Sequence, residues 1–108
     1  MADGFDLEAM RFAVRRGWIE WNRHALERMA ERGILREEVK AVLLHGERIE
    51  DYPQDYPLPS ALFLGRPHDR PLHAVAAFNA DRGMVFIITV YEPDLDHFKP
   101  DLRTRRKK

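Results

Sequence analysis

The sequence LHAVAAFNADRGMVFIITVY, residues 72–91, decides the fold, because two apolar runs flanking a glycine-containing turn are typical of a β-hairpin. Side chains alternate between the two faces of a strand. This alternation predicts one apolar face, formed by Leu72, Ala74, Ala76, Phe78, Met84, Phe86, Ile88 and Val90. The opposite face carries His73, Val75, Ala77, Asn79, Val85, Ile87, Thr89 and Tyr91. The hairpin therefore has one face for a core and one mixed face that could hold a site.

The turn sets the register of the two strands. A three-residue loop, Asp81-Arg82-Gly83, can end with its glycine in the left-handed conformation. The resulting pairs are Ala80 with Met84, Val75 with Thr89, and His73 with Tyr91. A two-residue loop would instead place His73 opposite Val90, on the core face, and a slip of one residue exchanges every side chain between core and solvent. We therefore expect the three-residue loop.

Length and composition indicate one globular domain over residues 1–108, with a folded core over 5–98 and a basic, flexible tail over 99–108. The absence of cysteine excludes disulfides and thiol catalysis. No apolar run approaches the ~20 residues of a membrane span. The first ten residues lack the basic-then-apolar order of a signal peptide. We expect a cytoplasmic protein that does not interact with membranes.

The charges are balanced, with 18 basic and 18 acidic residues, which argues against a general attraction to nucleic acid. Arginine outnumbers lysine fourteen to four, and its planar guanidinium suits phosphate and carboxylate. Five positive charges lie in the last six residues of the tail, at Arg103, Arg105, Arg106, Lys107 and Lys108. Such a tail is usually a solvated terminus, but its three arginines are candidates for nucleic-acid binding.

The rest of the chain predicts an α+β fold. Asp6 and Gly17 bound a first helix, and Asn22 and Gly33 bound a second. A third helix over 36–45 follows, so the last two form a helical hairpin. Strands over 48–52 and 61–66 precede the β-hairpin, and 18–21 is a short strand candidate. We expect the helical hairpin to cover one face of a four-stranded antiparallel sheet, with an extra N-terminal helix.

Four segments together resemble a widespread bacterial family of unknown function that is grouped with the RelE/ParE-like toxins. They are His24-Ala25-Leu26-Glu27-Arg28-Met29-Ala30-Glu31-Arg32-Gly33-Ile34, then Gly46-Glu47-Arg48-Ile49-Glu50-Asp51-Tyr52, then Leu72-His73-Ala74-Val75, and then Ile88-Thr89-Val90-Tyr91-Glu92-Pro93. The resemblance extends from Trp18 onward. It implies a RelE/ParE-like fold and, because wider relatives include small ribonucleases, a function in RNA processing.

The first candidate catalytic group is on the second helix. His24 lies in its first turn, where the positive end of the helix dipole favours a neutral imidazole that can accept a proton. Arg28 lies one turn further along the same face and could hold a phosphate oxygen. The alternative is that both are solvated surface residues, because the buried stripe of this helix lies opposite His24.

The second candidate group is the mixed face of the β-hairpin. His73, Thr89 and Tyr91 would combine a titrating imidazole, a hydroxyl and a phenol that can orient or stack on a base. Threonine and tyrosine are also common strand residues, so the alternative is ordinary packing. No metal-ligand spacing, phosphate-binding glycine loop or dinucleotide motif occurs, so we expect no metal, no nucleotide and no other cofactor.

The leading hypothesis is a metal-independent, toxin-like ribonuclease or RNA-processing domain. Its partners would be RNA or the ribosome, and an antitoxin-like protein or a second copy of the chain. The alternative is a non-catalytic module on the same fold that binds a protein or nucleic acid, because a fold does not fix a function.

Overall fold

The computed structural model of the protein describes residues 4–107, so residues 1–3 and Lys108, the end of the predicted tail, lie outside it. The described residues form the helices α1 (Leu7–Arg16), α2 (Arg23–Arg32) and α3 (Arg36–His45). Their strands are β1 (Ile19–Trp21), β2 (Glu47–Tyr52), β3 (Ser60–Gly65), β4 (Leu72–Asn79) and β5 (Met84–Tyr91). A single 3-10 turn, Pro67–Asp69, precedes β4. None of these helices is long and apolar enough to cross a membrane. The fold is mixed α+β.

The first two helices begin and end where the sequence predicts. The Asp6 carboxylate accepts hydrogen bonds from the amides of the first turn of α1, and the Asn22 side chain caps α2 in the same way. Gly17 and Gly33 follow these helices with φ of 78° and 65°. This left-handed backbone closes a helix and favours glycine. Local chemistry therefore fixes both helices.

The sheet has five strands rather than the predicted four, in the order β1-β5-β4-β3-β2. The segment considered as a strand candidate forms β1, and it pairs with β5 in parallel, Ile19 opposite Val85 and Trp21 opposite Ile87. The other three strand pairs are antiparallel. The sheet is therefore mixed, because the chain between α1 and α2 returns along the free edge of β5.

The core lies between the three helices and one face of the sheet. The helices contribute buried side chains at Met10, Val14, Met29, Val39, Val42 and Leu43, and the strands contribute Phe63, Leu72, Ala74, Phe78, Val85, Ile87 and Val90. Removal of this apolar surface from water is the main stabilising contribution. We call this the inner face of the sheet, and we call the opposite face the outer face.

The hairpin differs from its prediction in two ways that compensate. Asn79 pairs with Met84, so the loop has four residues rather than three, although Gly83 has the expected left-handed φ of 65°. Further along, Ile88 is an extra residue, a β-bulge between the pairs Ala76–Ile87 and Val75–Thr89. The bulge restores the predicted pairing of His73 with Tyr91.

The bulge also corrects the predicted faces of β5. Val85 and Ile87, expected on the mixed face, are fully buried on the inner face together with Val90. Ile88, expected in the core, is 40% exposed. Only from Thr89 onward does the predicted alternation hold, because one added residue reverses the face of every side chain on one side of it.

The bulge predicts opposite costs for two neighbouring isoleucines. Ile87→Ala should lower the free energy of unfolding by about 2–5 kcal/mol, because it leaves a cavity in the core. Ile88→Ala should change it by only about 0.5 kcal/mol, because that side chain is partly solvated. Urea denaturation of both variants measures the difference. Equal losses, or a larger loss at Ile88, would contradict the bulge.

Candidate functional site

His73 lies on the outer face, opposite Tyr91, and is fully buried. Its Nε2 lies 2.7 Å from the carbonyl oxygen of Leu102, and its Nδ1 lies 3.1 Å from the Tyr91 hydroxyl. The imidazole also packs in an edge-to-face arrangement with the rings of Tyr91 and Phe98, at centroid distances of 5.2 Å and 4.6 Å. Both ring nitrogens therefore have hydrogen-bond partners within the protein, and the ring packs against two aromatic side chains.

These contacts fix the tautomer of His73. A carbonyl oxygen can only accept, so Nε2 carries the proton and donates it to Leu102. In the neutral ring Nδ1 is then the acceptor, and the Tyr91 hydroxyl donates to it. Burial lowers the pKa of His73 below its ordinary value of 6.5, while the Leu102 hydrogen bond opposes this shift and the charge on Arg105 adds to it. The ring is neutral at pH 7.

His73 is covered by the C-terminal strap, by which we mean residues 94–107. The strap folds back on itself, with Phe98 bridged to Arg105 and the amide of Lys99 donating to the carbonyl of Thr104 at 2.8 Å. Phe98 is buried against the sheet. Leu102 has a φ of 60°, a left-handed conformation that is unfavourable for leucine, and it presents its carbonyl oxygen to His73.

The three tail arginines are engaged by the protein itself. Arg103 forms an ion pair with Glu47, and the Arg105 Nε donates to Glu50 at 2.9 Å. The Nε of Arg106 donates to the carbonyl of Leu95 at 2.6 Å. Where the sequence predicts a flexible basic tail, the structure holds residues 102–105 against the outer face, through the contact of Leu102 with His73 and the ion pairs with carboxylates of the edge strand β2. Of the three arginines, Arg105 alone also lines the cleft described next.

A cleft of about 350 Å³ opens between α2 and the strap. α2 contributes Arg28 and Arg32, the end of β5 and the residue after it contribute Tyr91 and Glu92, and the strap contributes Asp94, His97, Phe98 and Arg105. Three guanidinium groups, an imidazole and a phenol thus surround one cavity. Such side chains bind and orient anionic ligands and can transfer protons.

The cations of the cleft differ in how they are paired. Arg32 lies 3.9 Å from Glu92, and Arg105 is bonded to Glu50, whose contact raises the pKa of that guanidinium. Arg28 forms no ion pair or side-chain hydrogen bond with any other residue of 4–107. It is therefore the charge in the cleft that is available to an external anion.

His97 is the imidazole in the cleft, and its Nδ1 lies 2.8 Å from the Asp94 carboxylate. The Asp94 carboxylate also accepts hydrogen bonds from the amides of Asp96 and His97. Hydrogen bonds from His97 lower the pKa of Asp94, and the bond from the His97 side chain has the largest effect. This carboxylate is therefore ionised at neutral pH. It holds the imidazole in one orientation and leaves Nε2 for other contacts, as the carboxylate does in many histidine sites.

Arg70 fixes the geometry between α2 and β5. Its guanidinium donates to the carbonyls of Arg32 and Gly33, at 2.6 Å and 3.1 Å, and to Glu92 at 2.9 Å. Glu38, at the start of α3, lies 3.8 Å from the same group. Arg70 thus ties the end of α2, which carries Arg32, to the segment just after Tyr91.

The structure brings together some of the predicted site residues and not others. Arg28 and Tyr91 line the cleft, and His73 lies directly behind Tyr91. Thr89 is half-buried on the outer face opposite Val75 and does not line the cleft. The side chain of His24 is 91% exposed, lies 3.7 Å from Glu27, and is also outside the lining.

Sequence reasoning missed Asp94, His97, Arg32 and Arg70. The first two lie in an irregular segment, where no hydrophobic period indicates which way a side chain points. The available signal was local: an aspartate three residues before a histidine, directly after Pro93, predicts an Asx-type turn that can bring the two together.

A second hollow of about 550 Å³ lies elsewhere, between the end of α3 and the strap. It is larger than the cleft, but its charges include the ion pair of Glu47 with Arg103, and Asp101 there is bonded to the strap's own amides. None of the described histidine, aspartate and glutamate side chains come together in a group of three that could hold a metal ion. The cleft is therefore the better candidate site.

These features define a small α+β domain whose candidate site lies between a helix of the fold and a C-terminal extension. The chain belongs to the family described as Domain of unknown function (DUF4258), whose model matches residues 21–92. The match includes α2, Arg28, His73 and Tyr91, whereas α1 and the strap lie outside it. No curated protein and no solved structure matches the chain.

The buried state of His73 predicts how stability depends on pH. Because its pKa is lower in the folded protein than in the unfolded chain, the unfolded chain binds more protons as the pH falls below about 6.5. The free energy of unfolding should therefore be greatest above that pH and decrease toward pH 5. His73→Gln should lower the stability at pH 8 by about 1–3 kcal/mol, through loss of buried hydrogen bonds, and give a shallower pH dependence.

Urea denaturation at several values of pH between 5 and 8 measures both effects. His45→Gln is the matched control, because it makes the same substitution at an exposed histidine at the end of α3 and should keep the stability of the wild type at pH 8. Equal slopes for wild type and His73→Gln would show that His73 does not titrate as the structure requires.

Proposed function

We propose that the cleft binds single-stranded RNA and cleaves it without a metal ion. The observation that supports this function is the presence of Arg28, unpaired within residues 4–107, in the same cleft as His97, whose ring is oriented by Asp94. Cleavage of RNA by its own 2′-hydroxyl requires a cation on the phosphate and groups that transfer protons. Arg28 and His97 fill these roles with one residue each.

Arg28 holds the reacting phosphate in this proposal. A guanidinium can donate two parallel hydrogen bonds to a phosphate, which fixes its orientation as well as its position. Arg32 and Arg105 add positive charge nearby, although carboxylates of the protein partly neutralise them. The cleft therefore offers the ligand the unpaired guanidinium of Arg28 and two further guanidinium groups that are shared with carboxylates of the protein.

His97 moves the proton in this proposal: its Nε2 takes the proton of the attacking 2′-hydroxyl and passes it to the leaving 5′ oxygen. The products are a 2′,3′-cyclic phosphate and a 5′-hydroxyl, with no net change in protons. The Asp94 carboxylate accepts a hydrogen bond from Nδ1 and so directs Nε2 outward. The side chain of His97 is 66% exposed, so its Nε2 is open to a bound strand. His73 cannot act in this way, because it is buried and both of its nitrogens are bonded.

The size and charge of the cleft favour a single strand. Its volume is near the lower end of about 300–1,000 Å³ for small-ligand sites, which suits one nucleotide rather than a duplex. The protein has no net charge to attract RNA from a distance. Binding should thus be weak, and with one neutralised phosphate the logarithm of affinity should fall with the logarithm of salt concentration with a slope of only about −0.7.

A cleavage assay with a short labelled RNA in the presence of EDTA tests this function. The wild type should cleave the RNA, and His97→Ala should reduce the rate roughly 100-fold or more, because a positioned acid is lost. Arg28→Ala should weaken binding and cleavage together. Arg15→Ala, an exposed arginine on α1 away from the cleft, is the matched control and should cleave as the wild type does.

Two results would contradict the proposal that this cleft cleaves RNA. Cleavage that survives both His97→Ala and Arg28→Ala would show that the activity arises elsewhere. Arg28-dependent binding with no cleavage would reduce the function to RNA binding, the alternative raised from the sequence. His24→Ala tests the sequence prediction that His24 is catalytic. An effect as large as that of His97→Ala would place the catalytic site at the first turn of α2 instead.

A further inference from the structure

The Tyr91 hydroxyl donates its proton in a hydrogen bond within the protein. His73 donates from Nε2 to the Leu102 carbonyl, so its Nδ1 must accept, and the donor that it accepts from is the Tyr91 hydroxyl. Tyr91 nevertheless lines the cleft. The Arg105 guanidinium acts on the same oxygen as a hydrogen-bond donor, so one lone pair and no proton remain for a ligand. Tyr91 can therefore only accept a hydrogen bond there.

An acceptor in this place is a poor partner for a phosphate. Phosphodiester oxygens are themselves acceptors, and so they cannot bond to Tyr91 while it donates to His73. The ligand must present a donor at this point. In a nucleic acid the sugar donor is the ribose 2′-hydroxyl, which RNA has and DNA lacks.

The surroundings of Tyr91 keep this arrangement in place at neutral pH. Burial raises the pKa of Tyr91, so the phenol stays protonated, although the positive charge of Arg105 acts in the opposite direction. Within residues 4–107, the other charged groups that act on the phenol are Glu50 and Asp94, and both act in the same direction as burial. The Nε of Arg105 donates to Glu50, which holds that guanidinium against β2.

We propose that Tyr91, held as a hydrogen-bond acceptor by His73, recognises the ribose 2′-hydroxyl and thereby distinguishes RNA from DNA. Tyr91 is then the specificity-determining residue of the cleft. His73 is a positioning residue, because it acts through Tyr91 and through the strap without touching the ligand. This inference rests on the proposed function, since it requires a nucleic acid held at Arg28.

Binding to two oligonucleotides that differ only in the 2′-hydroxyl tests the proposal. The probes are a short fluorescent single-stranded RNA and the DNA of the same sequence with deoxyuridine in place of uridine. Fluorescence anisotropy is measured with full-length His97→Ala, so that the RNA stays intact. The RNA should bind about three- to tenfold more tightly than the DNA, which is the effect of one neutral hydrogen bond.

Adding Tyr91→Phe to the His97→Ala protein keeps the aromatic ring and removes the phenol oxygen that accepts the hydrogen bond. The affinity for RNA should fall to that for DNA, while the affinity for DNA should stay unchanged, which also shows that the cleft is still folded. Adding His73→Gln should reduce the preference as well, because one amide cannot reach both Leu102 and Tyr91, and the freed hydroxyl can then donate to phosphate.

Each other outcome is decisive. Equal binding of RNA and DNA that still depends on Arg28 would overturn this inference and leave RNA binding in the cleft intact. A preference for RNA that survives Tyr91→Phe would place the recognition of ribose elsewhere and would also overturn it. Absence of binding to both probes would overturn the proposed function and this inference with it.

Discussion

The buried His73 is the interaction on which the candidate site depends. One ring nitrogen holds the main chain of the strap, and the other holds the hydroxyl of a cleft residue, while Phe98 and Tyr91 enclose the ring. A buried polar group is stable when every donor and acceptor has a partner, and costs about 1–3 kcal/mol when one is left without. Within residues 4–107, no buried side-chain nitrogen or oxygen lacks a hydrogen-bond partner. The strap therefore completes the outer face rather than merely lying on it.

Two parts of the chain therefore form the cleft. Its helix wall and the Tyr91 wall lie within the residues that match the family, and its third wall is the strap beyond them. The oriented imidazole of His97 belongs to the strap, whereas the free guanidinium of Arg28 belongs to α2. A chemistry that needs both is consequently a property of the domain together with its extension. The ion pairs that the strap forms with Glu47 and Glu50 lie at the exposed edge strand, where each contributes little by itself. The His73 and Phe98 contacts carry more of its stability.

The sequence predicts the local features of this fold well and the long-range ones less well. Helix caps at Asp6 and Asn22 are local, and they were found. The pairing of His73 with Tyr91 was also predicted, but from a loop one residue too short, and the bulge at Ile88 made up the difference. A bulge leaves no hydrophobic period to detect, and β1 pairs with β5 across more than sixty residues of chain. The composition of the strap is typical of a solvated tail, because a count of its positive charges does not include the carboxylates of β2 that face them. His73 is a candidate catalytic residue from the sequence for a similar reason, since alternation gives the face of a residue but not what covers that face.

The tautomer of His73 tests this account most directly. Long-range proton–nitrogen correlation spectra of the histidine rings at pH 7 separate the three protonation states of each imidazole. The structure predicts that His73 is neutral, with its proton on Nε2 and no proton on Nδ1, and that the ring is still mostly neutral at pH 6.5 because its pKa is lowered. A proton on Nδ1, or a ring that titrates near the ordinary pKa of 6.5, would mean that Leu102 and Tyr91 do not hold it. In that case the strap, the cleft and the role of Tyr91 would all have to be reconsidered.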